Sequence, residues 1–593
     1  MILTGLSEQQ LTAITTTGNI LLTACPGSGK TRVLTRKIAH ELEKIKETKK
    51  VIIAITFTNR ASDEIKTRLV KLDIDTDQLF SNTIHSFCLE WILKPYASYL
   101  EETKNGFVVA DEFTSADIIG TLKEDNDLSW WTPINLRIKL DGSFYEQTNS
   151  GIVLAYHEIL KSAKLIDFEQ ILYYSYKLLI SFPGIAKTLS KIFHLICVDE
   201  YQDTQELQYA ILGEILKAED SKTGIFLVGD RDQAIFGTLG GIAKNLEEIK
   251  QVFGNIEIVE LELSGNYRTI QRIIDYYKNF QTTPIDIRSM AKNATAQGFI
   301  AYDYTVDYEV LSEHVASIIE KHLNDGVPES EICVLAPQWY IVIPMGRKLK
   351  RLLPKVNFDA YGLSPLSGNK ENVWYRISRL FLSTPSPNMY LTRVRWSKEL
   401  IQELDTTGHN LLSQEDFRHK KLLSIINSIK SDKDEGLDYL EDVFIQLMRI
   451  LQINLDGSIY LKQHWDSFFT GVRRKLEHVD SDYAKDISSF KRLFNQKNGV
   501  VVNTCHGIKG EEFEVVISFG LLQGFVPHNF DPNPEDAARK LLYVICSRAK
   551  SHLYLISESG RTRTYRKIPY IPTTVLRGVD YIYDDIDKSA ALL

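Results

Sequence analysis

The chain has 593 residues, of which 44% are apolar and 25% charged, and its formal net charge is −8. This length suggests about three or four domains, and the composition is typical of an ordinary globular protein. The acidic balance excludes a protein that coats nucleic acid through a global positive field, so any such contact must come from a local groove. The apolar runs have only strand length, and residues 1–8 lack the features of a signal peptide, so we expect a cytoplasmic protein with no membrane contact.

Six cysteines are scattered along the chain, and none of them forms a C-x-x-C pair. This spacing indicates neither a disulfide framework nor a zinc or iron–sulfur site. Several lie within apolar, strand-like runs, where we expect them to act as small buried hydrophobes. The six positions are Cys25, Cys88, Cys197, Cys333, Cys505 and Cys546.

A glycine-rich segment lies between a predicted strand at residues 19–23 and a predicted helix at 32–38. In such a loop, backbone N–H groups converge on a phosphate, and the helix N-terminus adds the positive end of its dipole. Lys30 would reach the β- and γ-phosphates, and the Thr31 hydroxyl would bind Mg²⁺. The alternative is an ordinary glycine-rich turn before a helix. The predicted phosphate-binding residues are Ala24, which replaces the usual first glycine, Cys25, Pro26, Gly27, Ser28, Gly29, Lys30, Thr31 and Arg32.

Strand and helix patterns alternate after this loop, as in the apolar run 51–55 followed by the helical pattern 61–69. Such alternation indicates βαβ units and a parallel sheet. Residues 95–165 are polar and carry few strand signals. We interpret them as a helical insertion into this first core.

Two adjacent acids follow the next buried strand, predicted over residues 195–198. This position would place Asp199 near Mg²⁺ and Glu200 where it can orient a water, and phosphoryl transfer needs little more than such positioning and charge neutralisation. A single Asp-Glu pair is also common in the exit loop of an ordinary buried strand. The phosphate loop earlier in the chain favours the hydrolytic interpretation. Residues 225–228 predict a further parallel strand.

A second set of strand patterns occurs later in the chain, at 331–336, 500–504, 515–518 and 552–556. Residues 371–491, which separate the first of these patterns from the others, are largely helical in pattern. The predicted fold class is therefore α/β, with two parallel-sheet cores, each interrupted by a mainly helical insertion. The predicted boundaries divide the chain into 1–94, 95–165, 166–263, 264–370, 371–491 and 492–593.

Eight further motifs make the chain resemble the UvrD/Rep/PcrA-like DNA helicases of superfamily 1, across both predicted cores. The five in the first core are Leu6–Ala13, Thr56–Ala61, Thr83–Phe87, Asp167–Phe168 and Gly229–Phe236. The three in the second core are Leu263–Thr269, Asn503–Phe513 and Leu541–Ala549. The resemblance implies two RecA-like motor cores that bind ATP and Mg²⁺ in the cleft between them.

The resemblance also implies roles for individual residues at the nucleotide. Gln10 would read the adenine edge, Tyr267 would stack on adenine, and Glu512 would bind the ribose. Gln233 would sense the γ-phosphate. Arg268 and Arg548 would meet the transferred phosphoryl group from the second core, a task for which a planar, permanently charged guanidinium suits better than lysine.

Single-stranded DNA is the partner that the resemblance implies, together with duplexes that carry a 3′ overhang. The DNA would cross both cores over Phe57, Asn59, His85, Phe236 and His506. The family moves in the 3′→5′ direction, which no residue of the chain indicates by itself. The sequence thus predicts an ATP-dependent helicase or translocase in DNA repair or anti-phage defence.

Two departures from the family pattern keep another hypothesis open. Gly237-Thr238-Leu239-Gly240 stands where an aromatic and an arginine usually follow Phe236, and the segment 371–491 is shorter than the usual second insertion. Loss of a stacking platform weakens the grip on single-stranded DNA. The alternative is a DNA-stimulated ATPase subunit that recruits or regulates a partner nuclease, as in anti-phage systems such as Gabija. An RNA helicase is disfavoured, because the motif sequences resemble those of the DNA helicases.

Overall fold

The structure is a computed structural model in which the chain forms two compact units. The first unit comprises Met1–Ala110, Ile118–Leu353 and Asn503–Leu593, and the second comprises Asp111–Asp117 and Pro354–Val502. The residues described are 2–110, 112–237, 240–283, 285–360, 366, 372–409, 411–413, 417–455, 457–478, 485–492, 494, 499–529, 531–563 and 568–586.

Helices and strands alternate along most of the chain. Up to Leu263 they are α1 (Glu8–Thr15), β1 (Asn19–Ala24), α2 (Lys30–Ile45), β2 (Val51–Thr56), α3 (Asn59–Lys71), β3 (Leu79–Thr83), α4 (Ile84–Phe87), α5 (Lys94–Tyr96), β4 (Val108–Val109), α6 (Glu112–Asp125), α7 (Ser150–Ser162), β5 (Leu165–Ile166), α8 (Phe168–Ser181), α9 (Pro183–Ile192), β6 (Phe193–Asp199), α10 (Glu206–Leu216), β7 (Gly224–Gly229), α11 (Leu246–Val252) and β8 (Ile258–Leu263). From Gly265 onward they are β9 (Gly265–Asn266), α12 (Gln271–Tyr277), β10 (Arg288–Ser289), β11 (Phe299–Asp303), α13 (Leu311–Asn324), β12 (Ile332–Ala336), α14 (Trp339–Leu352), β13 (Phe358–Asp359), α15 (Val373–Leu382), α16 (Pro387–Leu404), α17 (His419–Ser428), α18 (Gly436–Ile450), α19 (Ile459–His478), α20 (Ile487–Arg492), β14 (Val500–Thr504), β15 (Phe513–Ser518), α21 (Pro534–Cys546), β16 (Ala549–Ile556) and α22 (Thr574–Arg577).

The first sheet of unit one has six strands in the order β3-β2-β6-β7-β1-β8. All of its neighbouring strands run parallel. Along β1, Ile20 and Leu22 pack on one face with α2, while Leu21 packs on the other face, as the two-residue period of a strand requires. Because both faces are buried, the strands are almost continuously apolar. The carboxyl ends of β1, β6 and β7 meet at one edge, where the phosphate loop and the paired acids lie.

The second sheet of the same unit contains β11, β16, β15 and β12 in that order, again all parallel. Ile332 of β12 lies opposite Val515 of β15, and Phe299 of β11 lies opposite His552 of β16. The predicted fold class of two parallel α/β cores is therefore confirmed. The individual domain boundaries remain predictions.

The second unit is mainly helical and has a core of its own. The Trp374 ring lies 5.1 Å from Phe444 and 4.8 Å from Trp465, and its indole N–H donates to the Leu461 carbonyl at 2.9 Å. Within it, Phe358 of β13 pairs in parallel with Val500 of β14.

All six cysteines are buried, as expected for small hydrophobes. Burial raises the pKa of the Cys25 thiol in the phosphate loop to about 12, to which the nearby Asp230 charge contributes. This thiol is therefore protonated and unreactive at neutral pH.

Candidate nucleotide and DNA site

The glycine-rich segment forms a tight loop between β1 and α2. Gly27 and Gly29 have φ values of 71° and 84°, in the left-handed region that side chains rarely adopt. A Cβ atom at Gly27 would lie 2.6 Å from Asn266 Oδ1 and 2.7 Å from Arg268 Cβ, so the second core approaches the loop closely. Because Gly29 is the N-cap of α2, no side chain covers the N–H groups of the first turn, which is the arrangement that binds phosphate.

Gln10 lies against the phosphate loop. It forms a capping box with Ser7 at the start of α1, and its Nε2 donates to the Ser28 carbonyl at 2.9 Å. A Cβ atom at Gly29 would lie 3.1 Å from this nitrogen. The side chain is therefore buried and fixed beside the loop. Arg32, by contrast, is exposed and donates to the Gly5 carbonyl at 2.7 Å.

The paired acids lie at the carboxyl end of β6. Glu200 has a φ of 52°, a left-handed conformation that is strained for a residue with a side chain and is often found at functional sites. Its carboxylate lies 3.8 Å from Lys30 Nζ and accepts a hydrogen bond from Gln202 Nε2 at 2.6 Å. Burial acts to raise the pKa of Glu200, but the charges of Lys30 and Lys509 outweigh it and lower the pKa to about 2. Glu200 is therefore anionic at neutral pH.

The pKa of Asp199 is shifted in the opposite direction. Burial and the neighbouring Glu200 charge raise the pKa of Asp199 to about 7. A divalent cation beside this carboxylate would stabilise its charged form. Among the described residues no three His, Cys, Asp or Glu side chains cluster as metal ligands. Mg²⁺ usually takes only one or two carboxylates and fills its shell with phosphate oxygens and water, so Asp199 and the Thr31 hydroxyl fit this ion.

The second core contacts the phosphate loop through a group of three residues, Arg268, Glu512 and Tyr267. Arg268 Nε donates to Glu512 Oε2 at 2.6 Å, and its Nη1 donates to the Ser547 carbonyl at 2.9 Å. The backbone N–H of Tyr267 donates to the Gly27 carbonyl at 2.9 Å, while 44% of the residue surface stays exposed. An exposed ring next to the phosphate loop has a face available for stacking.

Arg548 joins the two cores directly. Its Nη2 donates to Gln233 Oε1 at 2.7 Å, and Gln233 Nε2 in turn donates to Asp230 Oδ2 at 2.7 Å. Burial and the charge of Arg268 lower the pKa of Arg548 to about 9, so the guanidinium stays protonated at neutral pH. Its Nε is buried with no hydrogen-bond partner in the described part of the chain. The cleft thus holds a positively charged donor group with one unused N–H.

The aromatic residues predicted to contact DNA come together in part. The Phe57 and Phe236 rings stack with centroids 4.5 Å apart, and His506 lies 5.6 Å from Phe236. Phe57 is 44% exposed, so this ring pair is accessible. Asn59 is the first residue of α3 and immediately follows Thr58, which caps that helix.

His85 has a different neighbour, because its ring packs edge-on against Phe168 at 5.4 Å. Burial lowers the pKa of His85 to about 4, which leaves the ring neutral. No ring contact joins it to Phe57, Phe236 or His506 among the described residues. A neutral His85 would meet DNA only as a hydrogen-bonding or stacking group, without a charge.

Comparison with known proteins agrees with this geometry. Residues 6–139 and 131–254 match the UvrD/REP helicase N-terminal domain, and residues 468–560 match the UvrD-like helicase C-terminal domain. Together these models match more than half of the chain. The chain belongs to the UvrD-like helicases.

Similar proteins include the ATP-dependent DNA helicase PcrA from three bacteria. The Bacillus subtilis (strain 168) protein is 26% identical over 95% of this chain and 84% of its own length. The Leuconostoc citreum protein is 26% identical over 94% of this chain and 82% of its own length. The Staphylococcus epidermidis (strain ATCC 35984) protein is 24% identical over 97% of this chain and 86% of its own length.

Two residues of this UvrD-like helicase stand out in the structure although sequence reasoning assigned them no role. Lys509 forms an ion pair with buried Asp203 and donates to the Gln233 carbonyl at 2.8 Å, while its Nζ lies 5.3 Å from the Phe236 ring centre. Asn266 Oδ1 accepts from the backbone N–H groups of Arg268 at 2.8 Å and Thr269 at 3.0 Å. Both residues lie inside motifs that were recognised in the sequence. Their position in those motifs is the sequence feature that could have identified them.

Thr238 and Leu239, which replace the usual aromatic and arginine, lie outside the described residues. Within the described ranges, every helix is too short or too polar to cross a lipid bilayer.

Proposed function

We propose that this chain is an ATP-dependent DNA helicase that moves 3′→5′ along single-stranded DNA and opens duplexes with a 3′ overhang. The observation that carries the proposal is the position of Gln233. Its side chain accepts from Arg548 of the second core, and three residues later Phe236 stacks on Phe57. One short segment therefore touches both the nucleotide cleft and the accessible aromatic pair. Membership of the UvrD-like helicases supports the same conclusion.

The residues of the cleft supply the groups that phosphoryl transfer requires. Lys30 and the N–H groups of the α2 N-terminus would bind the β- and γ-phosphates. Glu200 is anionic and would orient the attacking water by accepting its hydrogen bonds. Arg268 and Arg548 would stabilise the charge that develops on the transferred group. Mg²⁺, held by Thr31 and Asp199, would neutralise phosphate charge when bound.

The adenosine part of ATP would lie between Gln10 and the second core. Tyr267 offers an exposed ring for stacking on adenine, and Gln10 is fixed close enough to the loop to present its amide to the base edge. Glu512 would accept from the ribose hydroxyls. Since Glu512 is already paired with Arg268, the ribose and γ-phosphate sites are adjacent through one ion pair.

Coupling to DNA would follow from closure of the cleft. ATP would draw Arg268 and Arg548 toward the first core, and hydrolysis would release them. Lys509 extends the connection, because the same ammonium group contacts Asp203, Gln233 and the face of Phe236. Each closure would therefore move the aromatic pair relative to His506 and pull single-stranded DNA along the track.

The proposed setting is the cytoplasm, in DNA repair or anti-phage defence. A second candidate is a DNA-stimulated ATPase subunit that recruits or regulates a nuclease. The sequence that follows Phe236, residues 237–240, favours this candidate because it contains no aromatic or cationic residue. Translocation needs a base held through each closure, whereas sensing a DNA end needs only one productive contact.

Unwinding by the purified chain tests the proposal. With ATP and Mg²⁺, we expect single-stranded DNA to stimulate hydrolysis, and a duplex with a 3′ overhang to be opened while a matched 5′-overhang duplex is not. Lys30→Ala serves as the inactive control. Opening of the 5′ substrate alone would contradict the direction, and hydrolysis that DNA does not stimulate would contradict the helicase. Stimulated hydrolysis without unwinding would favour the nuclease-associated subunit.

A further inference from the structure

A hairpin within the first insertion lies beside Gly240. Ile138 and Phe144 form an antiparallel bridge, and Lys139 N donates to the Ser143 carbonyl at 2.7 Å. Ile138 is buried, and the Phe144 ring stacks on His157 with centroids 4.7 Å apart. These two side chains form the inner face of the hairpin. Because side chains alternate along a strand, neighbours on either side of Ile138 and Phe144 share the outer face.

The outer face combines two cations with one aromatic ring. The guanidinium carbon of Arg137 lies 4.6 Å from the Tyr145 ring centre, and Lys139 Nζ lies 5.5 Å from it. Tyr145 is 39% exposed. A cationic groove with an accessible ring is the combination that proteins use to bind single-stranded nucleic acid without sequence preference.

The same face reaches the proposed DNA track. The Arg137 side chain lies so close to Gly240 that a Cβ atom there would overlap its Nη1. The next residue, Gly241, donates its N–H to the Phe236 carbonyl at 3.1 Å and bridges to Gln205. Arg137 therefore brings a positive charge to Gly240, in a stretch of sequence, residues 237–241, that contains no cationic residue.

Two acidic groups near the hairpin offset its positive charge only in part. Glu169 of α8 faces Arg137, and burial together with the Asp167 charge raises the pKa of Glu169 to about 7. This carboxyl is therefore only partly ionised near pH 7. Asp141 at the tip of the hairpin accepts from both the N–H and the hydroxyl of Ser143, which ties it to the turn.

We propose that Arg137, Lys139 and Tyr145 form a second contact segment for single-stranded DNA, continuous with the Phe57–Phe236 pair. The two cations would bind backbone phosphates and Tyr145 would stack on a base. This inference rests on the proposed function, because it extends the track assigned to DNA there. It supplies from the first insertion a cation and a ring that the sequence of residues 237–240 lacks.

The dependence of DNA affinity on salt tests the inference. The measurement is fluorescence anisotropy of a labelled oligothymidine with the full chain over a series of NaCl concentrations. We expect Arg137→Gln combined with Lys139→Gln to weaken binding, and to reduce the slope of log K against log [salt] by about 1.4, since each lost phosphate contact on a single strand removes about 0.7. Tyr145→Ala should weaken binding at least about fivefold, and Tyr145→Phe should retain most of it.

The matched control is Lys161→Gln combined with Lys164→Gln, two exposed lysines on the same insertion. It removes the same charge and should leave the slope unchanged. Equal slopes for both double variants would overturn the inference, and so would a lower melting temperature with an unchanged slope, which would mean a purely structural role. The proposed function stands after either of these two results, provided that DNA stimulates the wild-type ATPase. If the wild type neither binds DNA nor responds to it, the proposed function fails and the inference falls with it.

Discussion

The proposed nucleotide side and the proposed DNA side of the first unit are built on opposite principles. At the nucleotide cleft, charged groups are buried and fixed by directional bonds, as in the link from Arg548 to Gln233 and on to Asp230. At the DNA side, accessible rings meet through stacking, as in the Phe57–Phe236 pair, and His85 is neutral. The two sides share the short segment from Gln233 to Phe236.

This difference follows from what each side must do. Stabilising a phosphoryl transition state requires charges that are already in position, because reorganisation during the reaction would cost rate. A motor must instead release each base after every step, and stacking is tolerant of sequence and moderate in energy. Substitutions at the cleft should therefore affect turnover strongly, while those at the rings should affect DNA affinity moderately.

The largest effect is expected for Lys30→Ala and Glu200→Gln. Steady-state ATPase rates should fall about a thousandfold or more, since no neighbouring group can replace the phosphate-binding ammonium or the water-orienting carboxylate. Glu200→Gln should still bind nucleotide, as measured by direct titration with an ATP analogue. Exposed Lys46→Ala and Glu43→Gln, at or near the end of α2, are the matched controls. Turnover by Glu200→Gln at the wild-type rate would remove Glu200 from its proposed role.

An intermediate effect is expected for the two arginines of the second core. Arg268→Ala and Arg548→Lys should lower kcat by about 10² to 10³, with much smaller changes in the KM for ATP, because their proposed partner is the transition state. Lysine at position 548 keeps the charge but loses the planar fork that holds Gln233. Arg539→Lys, on helix α21, which ends just before Arg548, should behave as wild type. A change confined to KM would mean that these arginines bind only ground-state nucleotide.

The smallest effect is expected on the DNA side. Phe236→Ala and Phe57→Ala should each weaken binding of single-stranded DNA by about 1–3 kcal/mol, the usual value of one base–aromatic stack. Equilibrium titration with a labelled oligothymidine measures the change. Tyr99→Ala removes an exposed aromatic that packs on Phe182 elsewhere in the unit, and should leave the affinity unchanged. If the three variants weaken binding equally, the track does not run over Phe57 and Phe236.

The sequence by itself determined the parts that depend on local patterns. The strand, glycine loop and helix around Lys30, the acids after β6 and the α/β fold class all follow from residues that are neighbours along the chain. Burial on both faces of a parallel sheet forces continuous apolar runs, and a phosphate loop needs glycines at fixed positions. These patterns involve residues that are close along the chain, so they can be recognised from the sequence alone.

Only the tertiary structure decided which distant groups meet. The bond from Arg548 to Gln233 and the ion pair of Lys509 with Asp203 each join residues about three hundred positions apart. From the sequence, Arg137 is an ordinary surface cation in a polar insertion. In the structure, the hairpin places its side chain against Gly240. For a polar side chain in a loop, no periodic pattern in the sequence identifies the residue that it contacts. Its partner is chosen when the two cores and the insertion pack, because only then do burial and charge decide which groups must pair.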